Sequence, residues 1–210
     1  MESMSIDGRS VRAKSIYDVA HKKLVNSAIE LFNDPDVPNE NINISLIAKN
    51  AGTSVATAYN HFPNNLIDVF GSIFNIGFQK IVDSVTEFNK NNSDPYDQLQ
   101  AFISIQTDTA VELGNAVREA FYEFRELLIS GKWIQGEPYL FLMSICDEYA
   151  KKDRDIDATS LADDIFVLWN GYIYLWMRYN PNFEIWSKFT DEWLVQQMSK
   201  IVDKAIFLQK

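Results

Sequence analysis

Apolar and small residues recur at every third or fourth position along most of this 210-residue chain. No segment shows the sustained two-residue alternation that is typical of a half-buried β-strand. The first example of the helical pattern is the series Ile16, Ala20, Leu24, Ala28 and Leu31. Lysine, asparagine and glutamate occupy the other sides of this segment, which predicts an amphipathic helix of about four turns. The sequence therefore predicts an all-α fold with about nine helices in total.

Proline, glycine and capping residues divide the pattern into separate helices. The segment Asn33-Asp34-Pro35-Asp36-Val37-Pro38 ends the first helix, because proline lacks a backbone donor and restricts the residue before it. Gly114 separates two longer helices. Beyond the first helix, we predict helices at about 44–51, 55–61, 66–89, 95–113, 117–131, 138–152, 157–179 and 183–208. The domain boundary is predicted at residues 65 and 66, with a small N-terminal domain (1–65) and a larger helical domain (66–210), although one helix can continue across it.

Residues 41–62 have the sequence NINISLIAKNAGTSVATAYNHF. Within this segment, residues 43–62 predict a helix-turn-helix. Asn43 is a candidate N-cap of the first short helix, Gly52 ends it, and Ser54 is a candidate N-cap of the second. Short side chains on the second helix suit insertion into the major groove of DNA, where methyl groups contact thymine and Asn60 can bond an adenine edge. Thr57, Tyr59 and His61 are donors suited to phosphate oxygens.

The order of these residues resembles the TetR/AcrR family of transcription regulators. The matching residues are Ile47-Ala48, Ala51-Gly52, Thr53, Ser54 and Thr57-Ala58-Tyr59-Asn60-His61-Phe62, preceded by Ala28-Ile29-Glu30-Leu31-Phe32 on the first helix. The match covers roughly the first third of the chain; the remainder resembles the family only in size and helicity. The resemblance implies a three-helix DNA-binding domain in front of a helical ligand-binding and dimerisation domain. It also implies a homodimeric repressor that a small-molecule ligand releases from a palindromic double-stranded DNA operator, with its recognition helices in successive major grooves roughly 34 Å apart.

The sequence departs from the family pattern where a lysine usually reaches phosphate. The family's serine-lysine-glutamate after histidine-phenylalanine is replaced here by Asn64-Asn65-Leu66. This predicts weaker electrostatic anchoring and leaves a second interpretation open, a helical ligand-binding or scaffold protein whose helix-turn-helix no longer binds specific DNA. A third interpretation is that the chain is a helical enzyme.

Charge is distributed unevenly. The chain has a formal net charge of −10, but residues 1–62 contribute only −1 and the remainder −9. Between Arg9 and Lys23 there are five cations and one anion, Asp18. A basic N-terminal arm of this kind can contact phosphates, and an ordinary solvated tail explains it equally well. The residues predicted to bind DNA are Arg9, Arg12, Lys14, Asn43, Lys49, Thr53, Ser54, Val55, Ala56, Thr57, Tyr59, Asn60 and His61.

Aromatic residues are concentrated after Pro63, where all five tryptophans lie. The resemblance implies that some of them line a small-molecule pocket, although core packing explains any single one at least as well. The candidates are Phe102, Phe121, Phe124, Trp133, Phe141, Phe166, Trp169 and Tyr172. The predicted helix 157–179 is apolar on nearly every side, and the last predicted helix has a wide apolar stripe, which together predict a dimer interface. Its candidates are Leu168, Ile173, Trp176, Trp193, Leu194, Met198 and Ile201.

Little in the sequence favours catalysis. The two histidines, His21 and His61, lie in the DNA-binding third, and Cys146 is the single cysteine, so we predict neither an enzyme nor a metal or cofactor site. Glu119, Glu123 and Glu126 share a helical face with arginines and are interpreted as a solvated, charge-paired surface. No signal peptide follows MESMSIDGRS, and no run of 18 uncharged apolar residues occurs, so we expect a cytoplasmic protein without a membrane partner.

Overall fold

The computed structural model describes residues 8–129 and 137–210, and the side chains of residues 11–123 and 138–210 within them. The described residues form helices, turns and connecting segments without β-strands, so the all-α prediction is confirmed. They group into two compact units. The first unit comprises the described residues up to Phe74 together with Asn115–Ala120, and the second comprises Asn75–Gly114 and the described residues from Phe121 onward.

The first unit contains α1 (Gly8–Asn33), a 3-10 turn (Asn39–Asn41), α2 (Ile44–Asn50), α3 (Val55–His61) and the beginning of α4 (Leu66–Asn91). Its core consists of apolar side chains from all four helices: Leu24, Val25, Ala28, Phe32, Ile47, Ala48, Ala58, Phe62, Val69, Phe70 and Ile73. The helix α1 begins at Gly8, two turns before the predicted start near Ile16. The residues of the predicted arm therefore lie on a helix, with Arg12 and Lys14 exposed; the side chain of Arg9 lies outside the described residues.

The second unit contains the rest of α4 and most of α5 (Pro95–Ile129). Gly114 interrupts α5 with φ 57° and ψ −129°, so the predicted separation of two helices at this glycine is confirmed. A Cβ atom at Gly77 of α4 would lie 2.9 Å from Leu113 Cδ1, which shows how closely these two helices approach. The chain passes from the first compact unit to the second within α4, between Phe74 and Asn75.

The remaining helices of the second unit are α6 (Glu137–Lys152), α7 (Ala158–Met177), α8 (Asp191–Met198) and α9 (Ile201–Leu208). The prediction of one helix over 183–208 is wrong. Successive turns occupy residues 180–190, and Thr190 then caps α8 by accepting a hydrogen bond from the Trp193 amide at 3.2 Å. A short break at Ser199 and Lys200 separates α8 from α9, and this break lets both short helices pack on α7.

Within the described part of the chain, no helix has the length and apolar character needed to cross a membrane.

Candidate nucleic-acid interface

The turn between α2 and α3 is fixed by local hydrogen bonds that the sequence encodes. Gly52 adopts φ +65°, its amide donates to the Lys49 carbonyl oxygen at 3.2 Å, and the Thr53 amide donates to the Ala48 carbonyl oxygen at 3.0 Å. These two bonds form a Schellman motif, which satisfies carbonyl groups at the end of α2 and needs a residue that tolerates the left-handed region. Gly52 therefore ends α2 and sets the direction in which the chain enters α3.

Both short helices have side-chain N-caps at the predicted positions. Asn43 Oδ1 accepts from the Leu46 amide at 3.0 Å, and Ser54 Oγ accepts from the Thr57 amide at 3.0 Å. The Ser54 hydroxyl also lies 2.7 Å from Thr57 Oγ1. Because helices of seven residues have few internal hydrogen bonds, these caps contribute a large share of the stability of each helix. The predicted capping roles of Asn43 and Ser54 are confirmed.

The inner faces of α2 and α3 pack against α1. Ala58 and Phe62 are fully buried, as predicted, and so is Ile47 of α2. The buried hydroxyl of Ser27 on α1 donates to the Ile47 carbonyl oxygen at 2.9 Å. The hydrogen bond holds α2 on α1, and the buried apolar side chains pack α3 against the same core.

The opposite face of α3 is open to solvent. Val55, Ala56, Tyr59 and Asn60 are exposed, with Val55 at 42% and Tyr59 at 44% of their full accessibility. Most of the other predicted DNA-binding residues on α2 and the turn are exposed or half-buried: Asn43, Lys49, Thr53, Ser54 and Thr57. The structure thus gathers methyl groups, a phenol, a carboxamide and hydroxyl groups on one small, uncharged surface with Lys49 nearby in sequence.

His61 lies on the inside of α3, not on the surface predicted for it. Its side chain is 8% exposed, and its ring packs against Tyr17 of α1 in a tilted arrangement, with 4.0 Å between ring centroids. The rings of His21 and Phe62 complete the cluster, with His21 lying 5.4 Å from His61 and 5.2 Å from Phe62. His61 follows the fully buried Ala58 by three residues, so both side chains lie on the inner face of α3.

Burial lowers the pKa of both histidines. For His61 the desolvation is reinforced by the nearby His21, and for His21 it is opposed by the carboxylate of Asp18. Nδ1 of each ring is buried without a hydrogen-bond partner among the described residues. Sequence reasoning missed the roles of Tyr17 and His21. Their i, i+4 spacing on α1 was the available signal, since it places both rings on one helical face.

The segment after α3, where the TetR/AcrR pattern that this chain resembles has a lysine, lies beside an acidic side chain. Asn65 adopts φ 62°, and the Asn64 amide donates to the Asp68 carboxylate at 2.7 Å. The Asn64 side chain donates to the same carboxylate at 3.2 Å. The two asparagines therefore make the turn into α4 and its N-terminal cap, and they bring a carboxylate rather than a cation to the end of α3.

The predicted ligand pocket has little room among the described residues. Phe102, Phe166 and Trp169 border a cavity of about 20 Å³, close to the size of one water molecule. Phe141 packs on Phe102 and Phe121 packs on Trp169, with ring centroids 6.1 and 6.2 Å apart.

The other predicted pocket residues do not add to this cavity. Tyr172 packs against Trp193 and accepts a hydrogen bond from Lys204 at 2.6 Å. The side chains of Phe124 and Trp133 lie outside the described residues. The predicted pocket is thus mostly an aromatic core in this part of the molecule. A larger cavity of about 430 Å³ lies between α4, α5 and α8.

The predicted dimer-interface residues are largely internal to one chain. Ile173, Trp176, Leu194, Met198 and Ile201 are buried where α7 packs with α8 and α9, and Leu168 and Trp193 are half-buried. Trp176 is fully buried, and its Nε1 donates to Asp191 Oδ1 at 2.7 Å. These residues form the core of the second unit, so most of them are not available to a second chain.

Chemically reactive groups are sparse in the described part of the chain. Burial raises the pKa of the Cys146 thiol to about 12, so it is protonated and poorly nucleophilic at neutral pH. No cluster of three or more histidine, cysteine, aspartate or glutamate side chains suited to a metal ion occurs among the described residues.

Comparison of the chain with protein-family models, curated proteins and solved structures finds no match.

Proposed function

We propose that this chain is a sequence-specific DNA-binding transcription regulator of the TetR/AcrR type. The observation that best supports the proposal is the exposed face of α3. A short helix whose inner face is fully packed leaves Val55 and Tyr59 in solvent, and side chains of this size are usually exposed together where a partner binds. The caps and the Gly52 turn hold this face rigidly, which suits a surface that must match a DNA groove.

Each exposed group on α3 has a role in this proposal. Val55 and Ala56 present methyl groups to thymine, and the carboxamide of Asn60 forms paired hydrogen bonds with an adenine edge. The Tyr59 hydroxyl binds a phosphate oxygen. Lys49, Arg12 and Lys14 are exposed cations of the same unit and add electrostatic affinity.

A selection experiment tests the proposal. Duplexes enriched from a random library by the full-length protein are labelled, and their affinity is measured by fluorescence anisotropy at physiological salt. We expect a palindromic consensus that binds roughly a thousandfold more tightly than random DNA. Asn60→Ala is expected to reduce this ratio by about tenfold, whereas the exposed Asn26→Ala on α1 leaves it unchanged. Failure to enrich any sequence with a folded protein would overturn the proposal.

The repressor works as a homodimer in this proposal, and its interface lies on the outer face of α7 rather than on the residues buried beneath it. Val167 is 68% exposed and Tyr174 is exposed, and both lie on one helical face with Gly171, where an added Cβ would meet no atom within 4 Å. A glycine in such a face allows a second helix to approach closely. Val167→Glu should therefore produce monomers by light scattering, whereas Leu140→Glu on α6, equally exposed, should not.

The ligand enters the proposal as an effector. A small molecule that binds the second unit would favour a conformation with low affinity for the operator, and DNA would be released through that difference in affinity. Loss of the selected duplex on addition of a compound, with dimers intact, is the expected behaviour.

One observation favours the alternative of a scaffold or ligand-binding protein that lacks specific DNA binding. The Asp68 carboxylate occupies the turn after α3, where it repels phosphate. Affinity that stays equal for all duplexes and disappears with moderate salt would support this alternative. Asp68→Asn distinguishes the two functions, because it should strengthen operator binding only if DNA lies against this turn.

A further inference from the structure

The cavity of about 430 Å³ in the second unit is an open groove along α5. Its floor is apolar, with Ile103 of α5, Phe88 of α4, and Val195 and Met198 of α8. The volume falls within the range of small-molecule sites in proteins. The groove is separate from the aromatic cluster around Trp169, so it is a site that the sequence pattern did not indicate.

A carboxylate stands near each end of this groove. Asp97 and Asp108 are eleven residues apart on α5, which places them on nearly the same helical face and about 16 Å apart along its axis. Both side chains are exposed, and none of the described residues that line the groove is lysine, arginine or histidine. The apolar stretch between them therefore has a carboxylate at both ends.

We propose that this groove binds an elongated ligand with an apolar body and a cationic group at each end. The body would cover the apolar floor and exclude water from it, which supplies most of the affinity. The two cations would lie beside Asp97 and Asp108, and their separation selects the length of the ligand. An anionic ligand is disfavoured, because residues 63–210, which include these two carboxylates, carry a net charge of −9.

Direct binding of a defined probe tests this inference. Decamethonium, in which a ten-carbon chain joins two quaternary ammonium groups, is titrated into the full-length protein by calorimetry. Three reference compounds share the same chain: decyltrimethylammonium with one cation, decane-1,10-diol with none, and sebacate with two carboxylates. We expect decamethonium to bind most tightly and sebacate not to bind.

Matched variants locate the site. Asp97→Asn and Asp108→Asn should each weaken decamethonium binding by roughly twofold to fivefold, as expected for exposed ion pairs, and the double variant by about tenfold. Val195→Lys, at an exposed position of the groove wall, should abolish binding. Asp147→Asn removes an exposed carboxylate of α6 that does not line the groove and should change nothing.

Three results would overturn the inference. The first is equal affinity for the dication and the neutral diol, and the second is equal binding by wild type and the Asp97→Asn/Asp108→Asn variant. The third is conversion of a dimer to monomers by Val195→Lys, which would assign the groove to a second copy of the chain. The role of this groove as an effector site rests on the proposed function, but the calorimetry contains no DNA. A protein that binds decamethonium and ignores DNA would contradict the proposed function alone.

Discussion

The α2–α3 segment and the α7–α9 segment both consist of helices joined by turns, but the burial of their side chains has a different cause in each. In α2–α3, each helix has one apolar face, and caps and a left-handed glycine fix where it begins and ends. In α7–α9, apolar residues surround α7, and contacts with α6, α8 and α9 determine which of them are buried. Trp176 is fully buried on α7 while Val167 is 68% exposed on the same helix.

This difference explains which sequence predictions were correct. Local signals act between residues that are close in the chain, so the caps at Asn43 and Ser54 and the turn at Gly52 can be derived from sequence alone. Burial around an apolar helix depends on residues far away in the chain, and hydrophobicity alone does not distinguish an internal face from an exposed one. The predicted dimer residues were chosen for their hydrophobicity, and the most hydrophobic ones became the core.

The largest expected effect comes from testing burial on α7. Trp176→Ala removes a fully buried indole and leaves Asp191 without this donor, so it should lower the free energy of unfolding by about 3–5 kcal/mol. Thr159→Ala, at an exposed position of α7 outside the proposed dimer face, should change it by less than about 0.5 kcal/mol. Urea denaturation followed by circular dichroism measures both. Similar losses in the two variants would mean that α7 is rotated relative to the described packing.

Alanine substitutions at two glycines test how the backbone conformation affects stability in the two segments. Gly52→Ala places a side chain at φ +65° and should cost about 1–2 kcal/mol of stability, although nothing lies near the new Cβ atom. In the Val167→Glu background, which removes the proposed dimer contact, Gly171→Ala on α7 also meets open space, but it lies within a regular helix and should stabilise the protomer by about 0.5–1 kcal/mol. The same denaturation assay applies. Opposite signs are the decisive result, and equal signs would remove the distinction between the two glycines.

Two tyrosines compare exposed surfaces. Tyr59→Ala on α3 should weaken binding to the selected duplex by about fivefold, the value of one hydrogen bond near 1 kcal/mol. Tyr122→Ala removes a phenol of similar exposure on α5 and should leave DNA affinity unchanged. Anisotropy titrations, with circular dichroism to verify folding, give the comparison. Unaltered affinity for Tyr59→Ala would exclude this side chain from the DNA contacts.

The sequence predicted the all-α fold, the bounds of α2 and α3 and the exposed part of the α3 face, since each depends on short-range patterns. It did not predict the inward orientation of His61, which depends on Tyr17 and His21 from α1. The sequence did not predict the groove between Asp97 and Asp108 either, because one of its walls comes from α8, which is distant in the chain from α4 and α5. The sequence predicts a site well when one segment of the chain forms it. When several segments form the site, their packing determines which side chains come together.

The smallest expected effect concerns the histidine cluster of the first unit, which has no counterpart in the apolar core around α7. Because burial lowers the pKa of His21 and His61 below the usual 6.5, the unfolded chain binds protons more readily than the folded one as the pH falls through this value. Stability contributed by the neutral rings is therefore present at pH values above about 6.5 and declines as the pH falls toward the lowered values. The Asp18 carboxylate reduces the effect at His21, because it favours the protonated ring.

The His21→Phe/His61→Phe variant isolates this contribution from that of the many carboxylates. Urea denaturation at several pH values between about 7.5 and 5.5 should show a shallower loss of stability on acidification in the variant than in wild type. Phenylalanine keeps the aromatic packing with Tyr17 and Phe62 but cannot titrate. Parallel pH profiles for the two proteins would mean that both rings are protonated as easily in the folded chain as in water, and that the cluster is more open than its burial indicates.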